Sequence, residues 1–357
     1  MHARRSRFLL ALLSALLLTL VLCAPAWADS LAVKRAEASR IEAQVQALNT
    51  KAEIWSEKYD EARVRYDNLS DKIAVVQARI AKLQKHQSFL QSHLNTRATD
   101  MYRAGPDSFL EVLLNVRSLE ELDSTFRVLT SLNQQDAATV SQLKEAKAAQ
   151  QQARATLVAA RNDARKQRDA MAANAAAVKT QLAARQKVLL SVTAEIQALV
   201  AQQIAEQAAA EQARTMALLL RARSADVGGI ILGGSAPSGS KAAAAVYWAE
   251  KEIGKPYVWA AAGPDTFDCS GLMVWAYGHV GIKLNHYSGD QIDEGRHISR
   301  SDLQPGDLVF FGSPIHHVGM YVGGGCFVEA PYTGADVRIA RLSSHGDYAG
   351  ACRPTER

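Results

Sequence analysis

Cysteine is scarce in this chain, with four in 357 residues, and one of them, Cys23, falls in an apolar N-terminal stretch. So thin a supply excludes a disulfide framework. Of the others, Cys326 and Cys352 either pair or lie as two buried free thiols, and Cys269 stays free in both cases. Ligand pairs at the short spacing of zinc sites are also missing, so no metal and no cofactor is expected. Beyond the N-terminus no apolar run is long enough to span a membrane. Charge of one sign is nowhere concentrated: 41 Lys and Arg face 36 Asp and Glu, a formal net charge of +5. From Lys241 onward the acids slightly outnumber the bases. That distribution excludes a nucleic-acid patch.

The N-terminus carries an export signature. Arg4, Arg5 and Arg7 precede an apolar segment from Phe8 to Cys23, and Ala26-Trp27-Ala28 offers a small-x-small cleavage site. Residues 1–28 therefore read as a secretory signal peptide. Leu22 is too large to precede a lipidated cysteine, and Phe8 comes one position late for a twin-arginine signal. Removing the segment takes away three arginines and no acid, which lowers the net charge from +5 to +2.

From Ile41 to Leu94 apolar residues recur at spacings of four and three, through Val45, Leu48, Tyr59, Leu69, Ile73 and Leu83, with polar Gln87 as one exception. This sustained heptad predicts a coiled coil, about 80 Å long at 1.5 Å per residue. Gly105-Pro106 stops it. An apolar stretch without heptad regularity follows, including Phe109, Leu113, Leu119 and Phe126, and forms a tip near residues 104–133. A second, alanine-rich helical stretch runs from about Gln134 to Arg223, with a weaker seam. Small seam residues suit a long antiparallel hairpin whose second arm packs on the first; a parallel homodimer also fits.

Residues 224–240 form a Gly, Ser and Pro linker. Beyond it the composition becomes that of a small α+β domain. Helices are expected at Ala242–Ile253 and Cys269–His279, and strands at Leu308–Phe311, Gly319–Val322, Cys326–Ala330 and Val337–Ala340.

Within that domain Asp268-Cys269-Ser270-Gly271 directly precedes an apolar helical run. Asp268 is placed as the N-cap and Cys269 in the first turn, where backbone N–H groups and the helix dipole favour a thiolate. His317 opens one strand and Glu329 lies on the next, an arrangement by which cysteine hydrolases activate sulfur. Side chains alternate along a strand, so only one of His316 and His317 faces the cleft.

Tyr257-Val258-Trp259-Ala260, Phe267-Asp268-Cys269-Ser270-Gly271, His286-Tyr287-Ser288-Gly289-Asp290-Gln291, Leu303-Gln304-Pro305-Gly306-Asp307-Leu308 and His317-Val318-Gly319-Met320-Tyr321 together resemble the NlpC/P60 cell-wall peptidases. The resemblance spans residues 241–357. It implies a papain-like catalytic domain with Cys269 as nucleophile, His317 as general base and Glu329 as the third polar residue. It also implies substrate-binding roles for Tyr257, Asp268, Ser270 and His286. The substrate implied is the peptidoglycan stem peptide, cut between γ-D-glutamate and the diamino acid. Arg97 to Arg103, Phe109 to Leu114 and Leu119 to Leu122 are similar to the coiled-coil regions of division-associated hydrolases, which implies an FtsE–FtsX-type membrane complex as partner. The expected architecture is an all-α coiled-coil hairpin, residues 29–223, followed by an α+β papain-like catalytic domain. Two other readings stay open: an adaptor carrying an inactive peptidase fold, and an amidase acting on another acyl amide.

Overall fold

Gly105, with φ +76°, ends the first helix at the point where its breaker residues place it. The computed structural model describes residues 3–105, 114–224 and 240–356, with side chains from residue 32 onward except at 219 and 222–224. Most of the expected linker, the centre of the apolar tip and the side chains of the export segment lie outside the described residues. Helix α1 runs Ala3–Ala104, α2 Leu119–Leu190 and α3 Ala194–Ser224. The second arm thus begins fifteen residues before the expected Gln134. The reason is local: Ser118 Oγ accepts from Glu121 N at 3.2 Å, and Glu121 Oε2 accepts from Arg117 N at 2.9 Å. This capping arrangement starts a helix without help from a heptad seam. The arm is also divided at Ser191-Val192-Thr193, and its two helices meet at 119°. Among the described residues no single helix is long and apolar enough to cross a membrane.

Residues 65–169 form one compact unit. Within it α1 and α2 run antiparallel, since Gln87 Nε2 donates to Ala146 O at 2.8 Å and Arg97 pairs with Asp136 at 3.2 Å. Leu69, Ile73, Val76, Ile80, Leu83 and Leu90 are the shielded positions of α1 there, as the heptad spacing predicts. The other unit comprises residues 1–64 and 170–357. In it Ala38, Ile41 and Val45 of α1 pack on Ile196 and Val200 of α3, and Asn174 of α2 donates to Lys58 O at 2.9 Å. The helices pair within one chain, as the hairpin reading requires.

The same unit contains the C-terminal domain. Helix α4 spans Lys241–Glu250, α5 Cys269–Gly278 and the short α6 Ser288–Gln291. The strands are β1 Arg296–His297, β2 Leu308–Phe311, β3 His317–Gly323, β4 Cys326–Glu329, β5 Arg338–Arg341 and β6 Tyr348–Arg353. They form one antiparallel sheet in the order β1-β6-β2-β3-β4-β5. Alternation along the strands divides their side chains. Leu308, Phe310, Val318, Met320 and Val328 face Ala245, Leu272, Met273 and Ala276 of α4 and α5. Val309, Phe311, Phe327, Ala340 and Ala351 form a second cluster on the opposite face.

All the expected helices and strands of the domain are present to within a few residues. Two strands had no sequence expectation, the two-residue β1 and β6, Tyr-Ala-Gly-Ala-Cys-Arg, whose small residues carry little β signal. The place of β6 between β1 and β2 comes from the sheet around it. That place also decides the cysteines. Cys352 on β6 and Cys326 on β4 are separated by β2 and β3, about 14 Å at the usual strand spacing, so they cannot pair with each other; both are buried, and Cys352 Sγ donates to Gln291 O at 3.1 Å. Helix α3 lies along edge strand β5, where Arg341 grips Glu211 through Nε and Nη2, both at 2.6 Å.

Candidate active site

Cys269 is the first residue of α5, and Asp268 caps that helix by accepting from Gly271 N at 2.7 Å. Helix α5 packs on β3, which begins with His317. His317 Nε2 donates to Glu329 Oε2 at 2.8 Å. Its Nδ1 is buried and has no hydrogen-bond partner, so this nitrogen carries the lone pair that a base needs. His316 points elsewhere, with Nε2 3.8 Å from Asp347. Strand alternation thus selects His317.

Glu329 is fully buried and satisfied on both oxygens. Oε1 accepts from Arg338 Nε at 2.9 Å, while Oε2 also lies 3.4 Å from His345 Nε2. Burial pushes its carboxyl up, but His317, His345 and Arg338 outweigh burial and hold it well below the usual carboxylate range.

The remaining expected residues gather at the start of α5. Tyr257 is buried beside Cys269 and Asp268. Ser270 is fully buried. His286 Nε2 donates to Asp268 at 2.7 and 3.0 Å, and its Nδ1 accepts from Arg63. His286 therefore orients the capping carboxylate.

Residues of α1 complete the site, and none of them was expected there. Glu57 reaches into the cleft: Cys269 Sγ and Ser270 Oγ donate to its Oε1, each at 3.1 Å. Ser288 donates to its Oε2 through both N–H and Oγ, each at 2.7 Å. Asp60 is buried against Asp268, Arg63 reaches Ala260 O at 3.2 Å, and Glu53 sits one turn before Glu57. Tyr59 packs edge-on against Trp259 at 5.0 Å. Cys269 is left 2% exposed.

The electrostatics of the thiol therefore depart from the expectation of a favoured thiolate. Burial first, then the carboxylates of Glu57 and Asp268, push the Cys269 thiol well above its ordinary range. The helix N-terminus is present, but two acidic groups and desolvation outweigh it. Among the described residues two groups hold three metal-type donors within 4.8 Å of one another, His317 with Glu329 and His345, and Asp60 with Asp268 and His286. The first is tied by the His317–Glu329 hydrogen bond and the second by His286–Asp268. Beside His317 a cavity of about 760 Å³ opens between the domain and the helices, lined by Glu53, Glu211, Arg214, Arg338 and His345 among others.

The α1 acids carry no motif signal, and Ser288, although inside the His286 to Gln291 run that carries the resemblance, was assigned no role. A serine after His286-Tyr287 reads as a loop residue, and Glu53, Glu57 and Asp60 read as the solvated face of a rod. Their shared i, i+4, i+7 spacing was the one available sign of a common face.

Residues 254–350 match the NlpC/P60 family. The chain is similar to the peptidoglycan endopeptidase RipA of Mycolicibacterium smegmatis, 44% identical over 109 residues that cover 27% of this chain and 22% of that protein. It is 45% identical over 102 residues to the probable endopeptidase p60 of Listeria grayi, covering 28% of this chain and 20% of that one. The chain thus spans about a fifth of the length of these curated relatives. Among solved structures it is similar to the NlpC/p60 domain of the peptidoglycan hydrolase SagA, at 37% identity and a TM-score of 0.30, covering 31% of this chain and 97% of that one.

Proposed function

The C-terminal domain belongs to the NlpC/P60 family, and from that premise we propose that the chain is a peptidoglycan hydrolase, a D,L-endopeptidase at the γ-D-glutamyl–diamino acid bond, that acts outside the cytoplasm and rests in a state closed by its own α1. The observation that carries the reading is the buried His317–Glu329 pair with Nδ1 unpartnered, on the strand against which the Cys269 helix packs.

In the open state the Cys269 thiolate attacks the amide carbonyl carbon and the carbonyl electrons move to oxygen, where Tyr257 and N–H groups at the start of α5 receive the charge. The C–N bond breaks as protonated His317 gives its Nδ1 proton to the departing amine. Water then loses a proton to Nδ1 and attacks the acyl-enzyme, and the thiolate leaves. Glu329 fixes the imidazole through Nε2–H and balances its positive form. With Glu57 in the cleft the thiol proton points at a carboxylate, and the seat of the substrate carbonyl is filled.

Mass spectrometry of fragments released from defined muropeptides tests the reaction and the bond together. Cleavage after γ-D-glutamate that disappears in Cys269→Ala supports the reading; full digestion by that variant ends the cysteine mechanism. Leu119, Phe126 and Val128 are exposed, which fits a partner of the FtsE–FtsX type at that region, testable by co-purification.

A further inference from the structure

Two histidines share one carboxylate in the candidate site. His317 Nε2 is 2.8 Å and His345 Nε2 3.4 Å from the same oxygen, Glu329 Oε2. The rings are parallel, 2° apart in plane, with centroids 5.9 Å apart. His345 belongs to the loop before β6 and is held by Phe311 and Phe327, whose ring centroids lie 4.7 and 5.2 Å away. Its Nδ1 lies 3.4 Å from Ser344 Oγ. We infer that His345 is a positioning residue that divides the charge of Glu329 with His317 and so sets the pH at which His317 holds its proton. The inference rests on the reading of His317 as the base.

The argument is electrostatic. When His345 is protonated, the carboxylate serves two cations, and a second positive ring stands beside His317. Both effects disfavour the imidazolium of His317. When His345 is neutral or absent, the whole of that charge falls on His317, which then keeps its proton to higher pH. The groups facing His345 are Glu329 on β4, Arg338 on β5, His317 on β3 and Asp347 on its own loop. Glu53, Glu211 and Arg214 line the adjoining cavity from α1 and α3. Burial lowers the proton affinity of His345, Glu329 raises it by more, and the net direction is upward. His345 thus takes up its proton above the ordinary histidine range, where its charge bears on His317.

The test uses the full chain and needs no substrate. Long-range 1H–15N spectra follow the imidazoles through a pH series in the parent, His345→Gln and His345→Phe. Gln removes the charge while keeping an N–H; Phe keeps the packing on Phe311 and Phe327 and removes both charge and donor. The His317 midpoint is expected to rise by about half a pH unit or more in both variants. The His345 midpoint is expected to fall when Glu329 is replaced in Glu329→Gln. An unchanged His317 midpoint in a folded His345→Phe, or a His345 midpoint indifferent to Glu329→Gln, overturns the inference. These outcomes are independent of muropeptide cleavage. If cleavage is found, the acid limb of kcat/KM moves upward with the His317 midpoint, whereas a purely structural role lowers the rate equally at every pH.

Discussion

At the scale of single residues, the resting state is defined by one carboxylate. Glu57 collects four donors, two from Ser288 and one each from Cys269 and Ser270. This is what an anion or carbonyl oxygen needs on entering a dry cleft. The same group keeps the sulfur protonated, since burial and Glu57 are the two largest causes of its upward shift. Removing the side chain takes away the acceptor of the thiol proton and opens the cleft. Glu57→Ala is therefore expected to raise the alkylation rate of Cys269 by iodoacetamide at pH 7.5 about tenfold or more, the effect of one unit in thiol pKa. Peptide mass spectrometry separates Cys269 from buried Cys326 and Cys352. An unchanged rate means that α1 does not guard the thiol. The placement of Cys269, His317 and Glu329 was legible in the sequence because each sits in a local pattern, a cap before a helix or the start and end of neighbouring strands. Glu57 was not, because an acidic residue on a helical rod reads as solvated and its partners lie more than 200 positions away.

At the scale of elements, α1 presents Glu53, Glu57 and Asp60 on one face to a domain whose nearest groups include Asp268 and Glu329. Both Asp60 oxygens are buried without a hydrogen-bond donor, and Arg63 at 2.9 Å does not offset burial and Asp268. Protonation of Asp60 resolves the conflict. Asp60 accordingly moves from its ordinary 3.8 to about 10, and Glu57 and Glu53 also move upward, chiefly through burial. A group whose value is raised on docking contributes fully below its free value and loses that contribution as pH rises toward the docked one. Docking of α1 is thus strongest near pH 4 and weakens toward pH 10. From pH 6 to pH 9 the parent is expected to expose Cys269 more steeply than thiol ionisation alone accounts for, by up to tenfold per pH unit for each proton released. In Asp60→Asn, which imitates the protonated state, this extra slope shrinks. Equal slopes in both proteins would remove the proton on Asp60. The elements themselves were largely readable: α1, α5 and β2 to β5 follow from periodicity and caps. The early start of α2 and strand β6 did not, since capping and sheet context replaced the apolar pattern there.

At the scale of the whole molecule, the helical segments within residues 1–64 and 170–224 meet the C-terminal domain at α1 in the cleft, at Arg185 of α2, which donates to Thr333 O at 3.1 Å, and at α3 along β5. The packing of Ala38, Ile41 and Val45 on Ile196 and Val200 ties the two helices together. If they leave as one body, every contact they make with the domain stabilises the same docked state. The Glu211–Arg341 pair then restrains Cys269 although it touches neither Cys269 nor Glu57. Glu211→Ala is expected to raise Cys269 alkylation a few-fold at low salt, as suits a pair with side chains 28% and 22% exposed. Its effect is expected to fade at high salt. Contacts that serve one equilibrium add in free energy, so the increase in Glu57→Ala/Glu211→Ala should be close to the product of the single increases. A Glu211→Ala rate equal to the parent at low salt shows instead that α1 shields the thiol locally. A sequence cannot display this coupling, because the break at 191–193 that brings α3 back toward α1 falls inside an apparently continuous seam, Leu189, Val192, Ile196 and Leu199. The heptad identifies a packed face, and the 119° bend decides where that face ends.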